Sequence, residues 1–186
     1  MRLDTIIKDS GSVLVRGDGK TQISAICCDS RKVIPGSLFV AVKGFASDGH
    51  DYIATALGKG ARVIVYEDQD AFESRTAALE MEGIVTIRTE SSRHAMAIIA
   101  ANFHDNPSHK LTLVGITGTN GKTTTVTLLH RMFTAMGYNC GLLSTIANYV
   151  GARGTEAVNT TSDPITINSL MSEMVDAGCE YCFMEV

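Results

Sequence analysis

Leu113-Val114-Gly115-Ile116-Thr117-Gly118-Thr119-Asn120-Gly121-Lys122-Thr123-Thr124 is the stretch that decides how this chain folds. An apolar run enters a glycine-rich turn, and a helical pattern leaves it. Val126, Leu129, Met132 and Phe133 mark one face of that helix, and Gly137 marks its stop. Glycines permit positive φ and let backbone amides approach phosphate oxygens, and a helix N-terminus adds partial positive charge. Gly118, Thr119, Asn120, Gly121, Lys122, Thr123 and Thr124 are therefore candidate nucleotide-phosphate residues. Lys122 is placed to reach the β and γ phosphates, and the Thr123 hydroxyl suits Mg²⁺. The strict GxxxxGK[ST] spacing is not met, because Ile116 stands five positions before Gly121, with Gly115 and Gly118 on either side. The plain alternative is a strand-to-helix turn carrying a surface lysine.

Downstream of this stretch, Gly141 to Thr145 reads as a strand and Gly151 to Gly154 as a turn. A helix begins near Pro164, carries Leu170, Met174 and Val175, and ends at Gly178. Tyr181 to Val186 reads as another strand. Upstream, Ser91 and Ser92 can cap a helix whose core positions are Met96, Ile98, Ile99 and Phe103. Strands are expected at Ile23 to Cys28, Ser37 to Val42, Arg62 to Tyr66 and Ile84 to Ile87. A short helix covers Asp51 to Leu57, and Leu3, Ile6 and Ile7 form a small helical face. Glu67 to Glu82 is part loop, part helix. Strand and helix alternate, so both halves are expected to be α/β with largely parallel sheets. Leu111 to Ile116 is expected to be a fully buried strand. Asn106-Pro107-Ser108 breaks the pattern, which divides the chain into domains 1–108 and 109–186. Val186 falls inside an apolar strand, so the second domain is expected to be incomplete.

Composition removes several function classes. The 186 residues are 45% hydrophobic and 19% charged, which excludes disorder throughout. The net charge is −4, and only Arg131 and Arg153 are basic after Lys122; nucleic acid and polybasic membrane binding are not expected. The longest apolar run, Ala95 to Ala101, falls far short of the roughly 20 residues of a membrane span. The first nine residues carry no apolar export segment, and the five cysteines at 27, 28, 140, 179 and 182 have no framework spacing. They read as reduced thiols of a cytoplasmic protein. Cys179-x-x-Cys182 has no second pair to complete a metal site. The histidines at 50, 94, 104, 109 and 130 lack ligand spacing and read as surface or packing residues.

Gly118 to Thr124 resembles the ATP loop of the Mur ligases and folylpolyglutamate synthases, a variant in which the first glycine is absent. In the first half, Asp29-Ser30-Arg31, Pro35-Gly36-Ser37-Leu38-Phe39-Val40-Ala41, Asp48-Gly49-His50 and Gly60-Ala61 resemble the nucleotide-sugar domain of the Mur ligases. Asn159-Thr160-Thr161 and Met184-Glu185-Val186 resemble the branch that adds the third residue of the peptidoglycan stem peptide. The MurF branch lacks the Asn-Thr-Thr segment and is the alternative within the family. A nucleotide-binding module without catalysis is the alternative outside it.

The resemblance implies a small N-terminal α/β nucleotide-sugar domain followed by the first part of a P-loop ATPase domain with a mainly parallel sheet. It implies a monomer that uses ATP and Mg²⁺ to join UDP-N-acetylmuramoyl-L-alanyl-D-glutamate to a diamino acid, meso-diaminopimelate or lysine. A C-terminal domain not present in these 186 residues reads that amino acid. By position, Ser30 and Cys28 would meet the uridine-sugar end of the substrate. Phe45, Ala46 and Ser47 occupy a loop that carries His-Gln-Ala in some members. Asn159, Thr160 and Thr161 would hold the muramoyl-peptide, Lys122 would serve catalysis, and Thr123 and Glu185 would bind Mg²⁺. Each has a plainer reading: Asp29-Ser30 as a turn or cap, Asn159 to Thr161 as a loop or glycosylation acceptor, Glu185 as an ordinary strand-end carboxylate.

Overall fold

The computed structural model describes residues 1–44, 47–156 and 163–186. The chain forms two compact units, Met1–Phe103 and His104–Val186. The first contains α1 (Leu3–Ile6), β1 (Val13–Arg16), β2 (Ile26–Cys27), β3 (Leu38–Val40), α2 (Ile53–Gly58), β4 (Val63–Tyr66), α3 (Gln69–Thr76), β5 (Val85–Arg88) and α4 (Ser92–Phe103). Its sheet runs β1-β5-β4-β3-β2, with β2 to β5 parallel and β1 antiparallel on β5. All four residues of β4 are buried, because the strand is covered on both faces. On one face Phe39, Ile64, Tyr66 and Phe72 share a core, with the Tyr66 and Phe72 rings stacked at 4.0 Å. Each such side chain contributes about 1.5–3 kcal/mol by leaving water.

The second unit contains β6 (Thr112–Ile116), α5 (Lys122–Ala135), β7 (Cys140–Leu143), β8 (Ala147–Val150), β9 (Arg153–Glu156), α6 (Pro164–Asp176) and β10 (Tyr181–Glu185). Sheet order is β6-β10-β7-β8-β9; the first three strands are parallel and the last two form an antiparallel hairpin. Side chains alternate across β10. Cys182 and Met184 pack with Met171 and Met174 of α6. Phe183 and Tyr181 pack with Val126 and Phe133 of α5, and the Phe133 and Phe183 rings meet edge-on at 5.2 Å. α6 approaches closely because β7 offers Gly141; a Cβ there would lie 2.8 Å from Met174 Cε.

Two sequence expectations change, and three strands carry no assignment. Leu111 to Ile116 is not fully buried: among the described residues β6 is an edge strand paired with β10 alone, and Leu113 is 38% exposed. Met132 is half exposed, since the helical turn brings His130 rather than Met132 into the buried stripe with Val126. The turn at Gly151–Gly154 sits in the β8–β9 hairpin, whose strands the sequence reading does not assign. Val13–Arg16 likewise carries no assigned element, yet its backbone pairs with β5 while its side chains stay exposed. No helix of the described residues is long and apolar enough to cross a membrane.

Candidate functional site

The glycine-rich loop lies at the carboxyl end of β6 and opens α5. Gly118 has φ +147° and Gly121 φ +79°, conformations in which a side chain would be strained. Space beside Gly121 is open, and no side chain caps the first amides of α5. Unpaired amides at a helix start, facing open space, suit a polyphosphate. Lys122 Nζ donates to Gly118 O of the same loop at 2.7 Å. The ammonium is thereby held over the residues that a phosphate would approach.

β10 lies between β6 and β7, so the carboxyl ends of three adjacent strands meet at one place. Thr123 Oγ1 donates to Glu185 Oε2 at 2.9 Å. Thr145, just beyond β7, donates to the same oxygen from its hydroxyl at 3.2 Å and from its amide at 3.3 Å. Partial burial pulls the Glu185 pKa upward, but the Thr123 hydroxyl, the Thr145 amide and hydroxyl, and the charge of Lys122 outweigh it. The carboxyl is held below its ordinary value and stays ionised. A hydroxyl and a carboxylate are hard oxygen donors. Mg²⁺ commonly takes one or two such protein ligands and completes its shell with water and phosphate oxygens, so this pair fits the ion. Thr145 is read from the sequence only as the end of a strand and not as a site residue; a single threonine there carries no pattern that announces a role.

In the first unit, Cys28, Asp29, Ser30, Arg31, Ser47 and Tyr52 line a cleft of 420 Å³. Ser30 is buried and Cys28 half-buried, whereas Ser47 is exposed. Asp29 caps the short 3-10 turn Ser30–Lys32 by accepting from the Arg31 amide at 2.9 Å, as the plain reading expects. The Arg31 guanidinium, followed by that amide, brings the Asp29 carboxyl down to about 2. Two backbone bonds hold the residues around Ser47: Gly44 N donates to Ser47 O at 2.9 Å, and Gly49 N donates to Val42 O at 2.9 Å. His50 is fully buried, which makes it a packing residue, one of the two readings open to it. Its Nδ1 lies 2.6 Å from Asp48 Oδ1, and its Nε2 is 3.5 Å from the Asp68 amide. Phe45, Ala46, Asn159, Thr160 and Thr161 lie outside the described residues.

Two α/β units make up the chain, and the second sets a strand-end carboxylate beside a glycine-rich strand-to-helix loop. Residues 22–104 match the family described as "Mur ligase family, catalytic domain", and residues 116–186 match "Mur ligase middle domain". The chain is 46% identical over 186 residues to the UDP-N-acetylmuramoyl-L-alanyl-D-glutamate–2,6-diaminopimelate ligase of Cytophaga hutchinsonii. It is 42% identical to the correspondingly named ligase 1 of Clostridium acetobutylicum. All of this chain is covered in each case, but only 37% of the relative. A solved ligase of the same name matches the whole chain and 36% of its own length, with a TM-score of 0.74 at 17% identity, a likeness of fold. MurF ligase of Thermotoga maritima in complex with ADP matches 89% of this chain and 32% of its own, with a TM-score of 0.56 at 26% identity. The chain belongs to the Mur ligase family.

Proposed function

We propose that this chain is the nucleotide-sugar and phosphate-loop portion of a MurE-type ligase. That enzyme couples ATP hydrolysis to amide formation between UDP-N-acetylmuramoyl-L-alanyl-D-glutamate and a diamino acid in the cytoplasm. The observation that supports it most is Glu185, delivered by β10 to Thr123 of the glycine-rich loop, in a chain 46% identical to a diaminopimelate ligase. The names of the relatives favour 2,6-diaminopimelate as the added amino acid.

The chemistry asked of these residues is positional. Phosphoryl transfer needs alignment and charge neutralisation more than covalent help from the protein. The loop amides and Lys122 hold the β and γ phosphates; Thr123 and Glu185 hold Mg²⁺. When bound, that ion neutralises charge on the phosphate oxygens. The acceptor carboxylate takes the γ-phosphoryl group, an amine displaces phosphate from the resulting acyl phosphate, and the amide forms. Ser30, Cys28 and Ser47 contact the uridine-sugar end, and Asn159 to Thr161 hold the muramoyl-peptide. The chain spans 37% of the curated relatives' length. We therefore assign these 186 residues binding, and ligation to the whole enzyme.

The test is phosphate release by the full-length enzyme, dependent on both the UDP-linked dipeptide and diaminopimelate. Lys122→Ala abolishes it. Wild-type turnover in that variant overturns the role of the loop, and turnover with lysine but not diaminopimelate moves the amino-acid assignment.

A further inference from the structure

The carboxylate at the end of β10 is gripped from two sides, and only one grip belongs to the phosphate loop. All the hydrogen bonds that Glu185 receives among the described residues fall on Oε2: from Thr123 Oγ1 at 2.9 Å, Thr145 Oγ1 at 3.2 Å and Thr145 N at 3.3 Å. A threonine hydroxyl has one proton and two lone pairs. Thr123 can therefore donate to Glu185 and still offer a lone pair to a cation. Thr145, on the far side, supplies two donors to one oxygen.

Thr145 is itself held rigidly. The residue before it, Ser144, donates from Oγ to Ala147 O at 2.7 Å and accepts from the Ala147 amide at 3.2 Å. Its amide donates to Asn148 Oδ1 at 3.3 Å, and Asn148 is buried at the start of the hairpin. The turn joining β7 to β8 is thus locked by side chains on both flanks of Thr145. A long glutamate side chain free to swing binds a cation poorly, because its rotamers must be frozen on binding. A donor on a pre-formed turn removes that cost in advance.

We propose that Thr145 is a positioning residue: it fixes the Glu185 carboxylate through Oε2, so that Oε1 is presented as the ligand of a divalent cation. This rests on the phosphate-loop reading above and adds to it a residue from a third strand end, one that touches neither nucleotide nor cation.

The experiment uses this chain, with Mn²⁺ as the paramagnetic probe and ADP as the nucleotide. ADP affinity is measured first in EDTA; Mn²⁺ affinity is then read at saturating ADP from the electron paramagnetic resonance signal of free Mn²⁺. Thr145→Val and Thr145→Ala, two variants so that a folding defect in one does not decide the matter, weaken Mn²⁺ binding by about tenfold, the scale of one charge-assisted hydrogen bond. Neither alters ADP affinity in EDTA. Thr145→Ser restores the Mn²⁺ affinity, and Glu185→Gln abolishes it. A purely structural role would lower both affinities together. Unchanged Mn²⁺ binding in both Val and Ala variants, or a serine variant as weak as they are, overturns the proposal. ADP binding without any Mn²⁺ enhancement in the wild-type chain overturns it alone; no ADP binding in EDTA sinks the phosphate-loop reading as well.

Discussion

Gly49→Ala should be among the most damaging single-methyl additions in the first unit. A Cβ at Gly49 would lie 2.7 Å from Val42 O and 2.9 Å from Ala41 C, and closer still to Val42 N. These are backbone atoms just past the end of β3, anchored to β4 through Ala41 N donating to Val65 O at 2.8 Å. No rotamer change relieves the clash; the segment must move, and the Gly49 N to Val42 O bond of 2.9 Å goes with it. Overpacking costs about 1–3 kcal/mol, and the lost hydrogen bond about 1 kcal/mol more. The total is about 2–4 kcal/mol, which at about 1.5 kcal/mol per molar urea lowers the midpoint by about 1.3–2.7 M. Gly58→Ala is the control, because nothing lies within 4 Å of its Cβ position and it sits at the end of α2. That variant should gain a few tenths of a kcal/mol, up to about 1. The assay is urea unfolding followed by hydrogen–deuterium exchange in peptides covering β3 and β4, which isolates the first unit. A Gly49→Ala midpoint matching that of wild type would refute the reasoning, since it would mean that the Val42 backbone yields freely.

The pH dependence of stability should carry a histidine component. Burial lowers the His130 pKa below 6.5, and its hydrogen bond to the Cys140 backbone does not restore it. The unfolded chain then binds the proton first, so stability is full above pH 6.5 and falls as pH drops toward the depressed folded value. Thermal midpoints taken from pH 8 downward should decline less steeply in His130→Phe than in wild type; equal slopes contradict this. Asp163 accepts from the amides of Ile165 at 2.9 Å and Thr166 at 3.0 Å, capping α6. Asp163→Ala should cost about 1 kcal/mol in the urea transition of the second unit, and no measurable loss would mean that the cap is dispensable. Burial pushes the Cys182 thiol up to about 12. Mass-spectrometric mapping of iodoacetamide labelling under native conditions should find it the last cysteine modified, and early labelling there would contradict the packing of β10.

The elements read most directly from sequence were those whose chemistry is local. β4 is a run of four buried residues, and α6 announces itself through Asp163-Pro164 at its start and Gly178 past its end. The glycine-rich loop is legible because φ requirements and the adjoining lysine are written in consecutive residues. What depends on pairing was not legible. β1 is an exposed edge strand whose only reason to be extended is the backbone of β5, some 70 residues later in the chain. The β8–β9 hairpin showed its glycines but not its strands. His50 could be read as either surface or packing, because its partner, Asp48, caps a turn and Asp68 comes from another loop. Thr145 escaped for the same reason: the carboxylate that gives it meaning is 40 positions away.

The placement of β10 between β6 and β7 also sets an order of events during synthesis. Thr112 pairs with Tyr181, 69 positions later, and Cys140 pairs with that same residue. Until β10 emerges, β6 and β7 share no partner, Phe133 has no Phe183 to meet, and Thr123 has no Glu185. β7 ends at Leu143 and β10 at Glu185, so at about 5–20 residues per second there is a wait of about 2–8 s in which two parallel strands are complete but unjoined. In the first unit only the edge strand β1 waits for a distant partner, β5, while β2, β3, β4 and β5 pair in chain order as each appears. A growing chain therefore carries one finished unit while β6, the apolar strand that leads into the glycine-rich loop, is still unpaired. The arrival of β10 joins β6 to β7 and brings the loop its carboxylate partner in one step.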